Sequence, residues 1–274
     1  MKTKAFLLAS LACAIFACYS CNDDDNNYQP DDIVLRTFET KYPDASRIEW
    51  ENKAGYKVAD FRLDSYETEA WFQNDGSWLL TETDIPYNNL PQVVKTSFEA
   101  GTYASWRIDD VDKLERPDVE TVFVIEVESG NQEIDLYYSE DGTLIKEIND
   151  EGNNIYEPIP VIESIIEDIN KKYPNAKILD IDNENSHLEF DILHDSTKKE
   201  VVYSNNEWIY TKWEVRQSQV PEVVMTALKN SQYNNYRIDD IDIYEKADGL
   251  FYVFELESGN QEIKLTIKSD GTIS

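Results

Sequence analysis

Two blocks of this sequence occur twice, in the same order and at almost the same spacing. Residues 107–112 read RIDDVD and residues 237–242 read RIDDID. Residues 126–134 read EVESGNQEI and residues 255–263 read ELESGNQEI, and an Asp-Gly-Thr triplet follows each, at 141–143 and 270–272. An earlier pair matches more loosely: KYPDA at 41–45 corresponds to KYPNA at 172–176. A long fixed period means that the chain builds one unit repeatedly. The copies run from about 31 to 150 and from 157 to 274. The intervening NDEGNNIYEPIP, at 149–160, has the turn-forming residues of a boundary.

Each copy divides again into two units, each a helix followed by about four strands. Pro91 stands at an expected first helical position, and Val93, Val94, Ser97 and Phe98 share a face. Pro221 leads Val223, Val224, Ala227 and Leu228 in the same way. Ile162, Ile165, Ile166 and Ile169 mark another helix, which should stop before Tyr173-Pro174 because proline disfavours helix in the residue preceding it. Residues 122–128 and 251–256 alternate as strands do, and Ser-Gly-Asn at 129–131 and 258–260 breaks each run as a hairpin turn. A lone unit of roughly 60 residues without disulfides would be marginal, so two units should share a core. The expected fold class is α+β: a tandem duplication in which each domain is an antiparallel sheet with its helices packed on one face.

This pattern resembles the PepSY-like, β-lactamase-inhibitor-like family. The resemblance rests on the helix-plus-meander repeat, the KYP-[DN]-A segment and the recurrent Asp-Gly turns. It implies a small secreted or lipid-anchored protein that contacts an enzyme through a sheet face, and it carries over no catalytic residues. The cysteines that bridge the secreted inhibitor itself have no counterpart here.

All three cysteines, Cys13, Cys18 and Cys21, lie near the start. Lys2 and Lys4 precede an apolar run from Ala5 to Ala17, the layout of a secretory signal peptide over residues 1–20. The run is too short for a stable transmembrane helix, and nothing later approaches 18 apolar residues. A cysteine closing such a run resembles a bacterial lipobox. Cys21, preceded by small Ser20, is the expected lipidation site, with Cys18 as the competing one. Asn22-Asp23-Asp24-Asp25 then resembles the surface-export signal of Bacteroidetes lipoproteins. Residues 21–30 read as an acidic tether, and the expected location is the outer membrane, held by the lipid alone.

The formal net charge is −30, from 55 acids against 25 bases. Such a surface repels phosphate backbones, which excludes nucleic acid as a partner. No nucleophile, dinucleotide or phosphate-loop motif is present. His187 and His194 are the only histidines, and their odd spacing does not bring them together on one strand face. No catalytic residue and no cofactor is therefore expected. Asp109, Asp110 and Asp112, repeated as Asp239, Asp240 and Asp242, are weak calcium candidates, and Asp180–Asn185 loosely resembles a D-x-D-x-D loop. Alternation would put Ile108, Asp110 and Asp112 on one face. Two functions stay open: a protein-binding or inhibitor-like module whose partner is of unknown identity, a basic one suiting the charge, and a glycan-binding accessory lipoprotein using exposed Trp or Tyr, with Trp50, Trp71, Trp78, Trp106, Trp208 and Trp213 as the tryptophans. Tryptophans lined up on one open sheet face would favour glycan; a tryptophan-poor face with an acidic rim would favour protein.

Overall fold

The computed structural model describes residues 28–149, 156–184 and 186–274. The signal peptide, Cys13, Cys18, Cys21 and most of the tether lie outside the described residues. The first half runs α1 (Asp32–Lys41), β1 (Ser46–Lys53), β2 (Tyr56–Leu63), β3 (Tyr66–Phe72), β4 (Trp78–Asp84), α2 (Gln92–Ala100), β5 (Arg107–Glu115), β6 (Val122–Ser129), β7 (Gln132–Ser139) and β8 (Leu144–Asn149). The second runs α3 (Glu163–Lys172), β9 (Lys177–Glu184), β10 (His187–His194), β11 (Thr197–Ser204), β12 (Glu207–Glu214), α4 (Glu222–Asn230), β13 (Arg237–Lys246), β14 (Gly249–Ser258) and β15 (Gln261–Lys268). β1 to β8 form one antiparallel sheet and β9 to β15 another, each with strands in chain order. The duplicated α+β architecture expected from the repeats is the one observed.

The helices end and begin where proline requires it. α1 and α3 stop at Tyr42 and Tyr173, each followed by proline. Pro91 and Pro221 sit at the N-caps, one residue before the position the sequence suggests. Each helix buries two residues one turn apart: Val34 and Phe38, Val94 and Phe98, Ile165 and Ile169, Val224 and Leu228. These pack on one face of their sheet, against Ala59, Phe61, Ala70 and Phe72 for α1, and against Val111, Phe123, Ile125 and Leu136 for α2. The second half repeats both clusters.

The other face of the first sheet is divided. One part is apolar, built by Val58, Trp71, Leu80, Leu114, Val122 and Val124, and Leu179 of β9 is fully buried in it. Polar bonds hold this contact at its rim. The Glu120 amide donates to the Ile178 carbonyl at 2.8 Å. Asp180 pairs with Arg116 at 2.8 Å and with Lys146. Residues 177–184 are thus a strand, not the cation loop that Asp180–Asn185 resembles. The rest of the first sheet's helix-free face is open.

Candidate functional site

The repeated motifs that first draw attention are structural. The KYP tyrosine fixes its helix to the fourth strand of its unit: Tyr42 bonds Thr81, and Tyr173 donates to Thr211 at 2.6 Å. The same hydroxyls accept from Trp78 and Trp208, at 2.8 and 3.0 Å, while Lys41 and Lys172 cap those indoles at 3.4 Å. The Asp-Gly turns sit under helix starts. A Cβ at Gly142 would lie 2.8 Å from the Val93 carbonyl oxygen, with φ at +83° besides. The RIDD repeats form β-bulges. Arg107 spans Asp109 and Glu128, and Arg237 spans Asp239 and Glu257. Asp110 and Asp240 accept the next residue's amide, at 2.8 and 2.7 Å. The bulge corrects the simple alternation: Ile108 packs on the helix side with Val111, away from Asp110 and Asp112.

What remains is a set of carboxylates in rows across the open part of the first sheet. The register puts Glu49 opposite Asp60, Asp60 opposite Glu69, and Glu69 opposite Glu82. Asp84 faces Asp112. A further row joins Asp110, Glu126 and Asp135. Like charges directly opposite one another destabilise a sheet, so these rows have a folding cost. Glu126 and buried Asp135 apart, they line a groove of about 410 Å³. Its bases, Arg47 and Arg62, lie on the outer strands β1 and β2, and Arg62 already pairs with Glu67 at 2.6 Å. Among the described residues, Glu82, Asp84, Asp110 and Asp112 on the inner strands make no ion pair within 4.0 Å.

The crowding is visible in proton affinity. Burial, reinforced by Glu69 and Asp110, pushes the Glu82 carboxyl up to about 7. Burial, then Glu82, Asp110 and Asp84, push Asp112 up to about 8, against the Tyr156 hydroxyl that donates to it at 3.3 Å. Burial and Glu69 raise Asp60 to about 6. Carboxyls raised in this way keep protons closer to neutral pH than ordinary carboxylates do.

The second sheet shows what was changed. Its equivalent rows read Asp180, Asp191, Glu200, Lys212 and Asp240, Glu255, Lys264. A lysine stands where the first sheet has Glu82, and another where it has Asp135. Lys212 pairs with Asp242 at 3.5 Å and Lys264 with Glu255 at 2.6 Å.

A family profile described as "Putative beta-lactamase-inhibitor-like, PepSY-like" matches residues 54–146 and 191–274, more than half of the chain. The chain belongs to this PepSY-like family. A solved BLIP-like protein from Bacteroides fragilis is 41% identical to it, over 50% of this chain and 99% of that one, with a TM-score of 0.47. A DUF2874 family protein from Bacteroides ovatus is 32% identical over 44% of this chain and 89% of that one, with a TM-score of 0.43. A comparison with curated proteins finds none similar.

In this PepSY-like chain the six calcium candidates do not converge. Asp109 and Asp239 serve the arginine clamps, Asp110 and Asp240 the bulges, buried Asp112 accepts from the Tyr156 hydroxyl, and Asp242 pairs with Lys212. The carboxylates that do come within ligand distance of one another are Glu51, Asp60 and Glu69. Lys53 already binds two of them, Glu51 at 2.7 Å and Glu69 at 2.5 Å. His187 and His194 occupy opposite ends of β10, and His194 lies edge-on to Tyr173. None of the six tryptophans is exposed. Trp71 is buried, Trp50 packs on Phe38 and Phe72, and Trp106 packs on Tyr103. No helix among the described residues is long and apolar enough to cross a membrane.

Proposed function

We propose that this chain is a non-enzymatic cell-envelope module, tethered by a lipid at Cys21, that binds a basic protein surface through the acidic groove of its first sheet. Two PepSY-like domains, at about 31–150 and 157–274, make up the body. The observation that carries this reading is the set of unpaired, mutually repelling carboxylates on β4 and β5. Such an arrangement weakens the free protein and is relieved by cations from outside. Trp71 is buried and the other five tryptophans are half-buried, so none stands fully exposed on an open sheet face, which favours protein over the carbohydrate alternative. The family name points the same way, toward inhibition by contact.

The test compares three baits in envelope extract: the unaltered chain, Glu82→Lys with Asp110→Lys, and Lys246→Glu with Lys264→Glu as a control on the second sheet. A partner held by the unaltered chain and the control, but lost by the first-sheet variant, supports the groove. Retention of the same proteins by all three baits refutes it. Turnover of peptide, ester or glycoside substrates that disappears with Glu82→Gln would overturn the non-enzymatic part.

A further inference from the structure

The chain already contains one docking event between sheets, and its duplication supplies the parts for a second. Within the chain, the β9 bulge inserts Leu179 into the helix-free face of the first sheet. There it meets Val58, Leu80, Leu114, Val122 and Val124. Asp180, the next residue, enters the Arg116 and Lys146 ion pairs. The KYP register puts Ile48 and Glu49 of β1 at the places of Leu179 and Asp180. Both strands are irregular there, as the register breaks show. The difference is cover: Leu179 is fully buried, whereas Ile48 is 43% exposed.

A partial counterpart of that acceptor exists on the helix-free face of the second sheet, with Tyr210 at the place of Leu80 and Glu189 at that of Val58. Tyr244 stands at the place of Leu114, Phe251 at that of Val122 and Val253 at that of Val124, all three half-buried. Val202 replaces Trp71, and Lys246 stands at the place of Arg116. The Lys246 ammonium lies 5.7 Å from the Tyr244 ring and 5.3 Å from the Phe251 ring, and Lys268 lies 5.4 Å from Phe251. Among the described residues neither lysine makes an ion pair within 4.0 Å. The two halves of the contact sit on different sheets of one chain, so a single molecule presents both.

We propose that the β1 bulge of one molecule docks on the helix-free face of the second sheet of another copy, repeating between molecules the contact that β9 makes within the chain. Ile48 fills the aromatic surface of Tyr244 and Phe251, and Glu49 meets Lys246. The occupant is a second copy because the exposed group and its acceptor both derive from an interface this sequence already builds. The contact is heterologous, so copies associate head to tail. It shares Glu49 with the outer end of the acidic groove but uses neither Glu82 nor Asp110, so Glu82→Lys with Asp110→Lys should leave self-association intact while removing groove binding.

The experiment uses the chain from Tyr28 onward, which carries every described strand and helix, with circular dichroism confirming that each variant is folded. In sedimentation equilibrium the mass should rise with concentration. Ile48→Asp and Phe251→Asp should each give monomers, because each removes one half of the contact. An equimolar mixture of the two variants should give dimers and nothing larger, since one intact bulge and one intact acceptor remain. The body has no native cysteine, so copies bearing Ile48→Cys and copies bearing Phe251→Cys should cross-link when mixed and oxidised. A parent chain that stays monomeric up to its solubility limit would overturn the proposal. So would association that persists in Ile48→Asp, or a mixture that fails to form dimers.

Discussion

Replacing Glu82 by lysine, the residue its own duplicate carries, should make the protein more stable at alkaline pH and flatten its pH dependence. A carboxyl whose pKa is raised on folding makes the native state bind more protons than the unfolded chain, so stability falls as pH rises between the two pKa values. For Asp112 the window runs from 3.8 to about 8, and for Glu82 from 4.5 to about 7. One pKa unit corresponds to ~1.4 kcal/mol, which puts a ceiling of ~6 kcal/mol on the loss from Asp112 alone. Water at half-buried Glu82 and screening by salt reduce this, and ~2 kcal/mol is the working figure. In Glu82→Lys the ammonium replaces a repelling carboxylate beside Asp112, as Lys212 does beside Asp242 at 3.5 Å. The variant should match the parent near pH 4 and exceed it by about 1–2 kcal/mol at pH 8.5. Urea unfolding followed by tryptophan fluorescence at pH 4, 6 and 8.5 reads the difference directly. A stability difference independent of pH, of either sign, would show that the acid rows do not repel as argued.

Four other outcomes follow from the same structure. Gly142→Ala should cost about 2–3 kcal/mol, because it combines a left-handed backbone with a carbonyl in the way, whereas Gly130→Ala, with φ at +70° and open space, should cost about 1 kcal/mol; thermal melts of the pair separate the two causes. Asp180→Asn strips the buried partner from Arg116 and Lys146 and should lower stability by about 3 kcal/mol, with urea unfolding splitting into two steps as the halves uncouple. Cys21→Ser should release the mature chain from membranes, and mass spectrometry of the parent's first peptide should find a lipidated Cys21. Binding of a basic partner should weaken with salt and tighten from pH 6 to pH 8, because docked cations lower the groove carboxyls and drive proton release; calorimetry in buffers of different ionisation enthalpy counts those protons.

Much of the fold was legible because it rests on local rules. Alternation, the turn glycines and the prolines after Tyr42 and Tyr173 each constrain a few neighbouring residues, and duplication doubled every signal. The RIDD faces were misread because a bulge inserts one residue, and nothing in RIDDVD announces it. The docking of Leu179 was not legible either, since it depends on where the second sheet sits. The acid rows were a different case. Each row joins residues from several strands, so no linear motif contains it. A signal was nevertheless present: aligning the two copies pairs Glu82 with Lys212 and Asp135 with Lys264, and those charge reversals mark the helix-free face.

That comparison shows where to look for function in a duplicated chain. The identical residues are the ones both copies need to fold. Arg107 and Arg237 clamp bulges, Tyr42 and Tyr173 anchor helices, and Gly142 and Gly271 fit beneath helix starts. Packing holds the helix sides nearly constant, as the paired buried residues of α2 and α4 show. The helix-free faces carry no such constraint, because nothing packs on most of their area. There the copies diverge in opposite directions. The first sheet accumulates acids opposite acids and accepts Leu179, while the second carries Lys212 and Lys264 where the first has Glu82 and Asp135. The row of Glu49, Asp60, Glu69 and Glu82 across four strands carries a cost in the free protein that Lys53 offsets only in part. Relief of that cost by a bound cationic surface is what the proposed binding would supply, and the open part of the first sheet, where Glu82, Asp84 and Asp110 lack cation partners among the described residues, is where it should be measured.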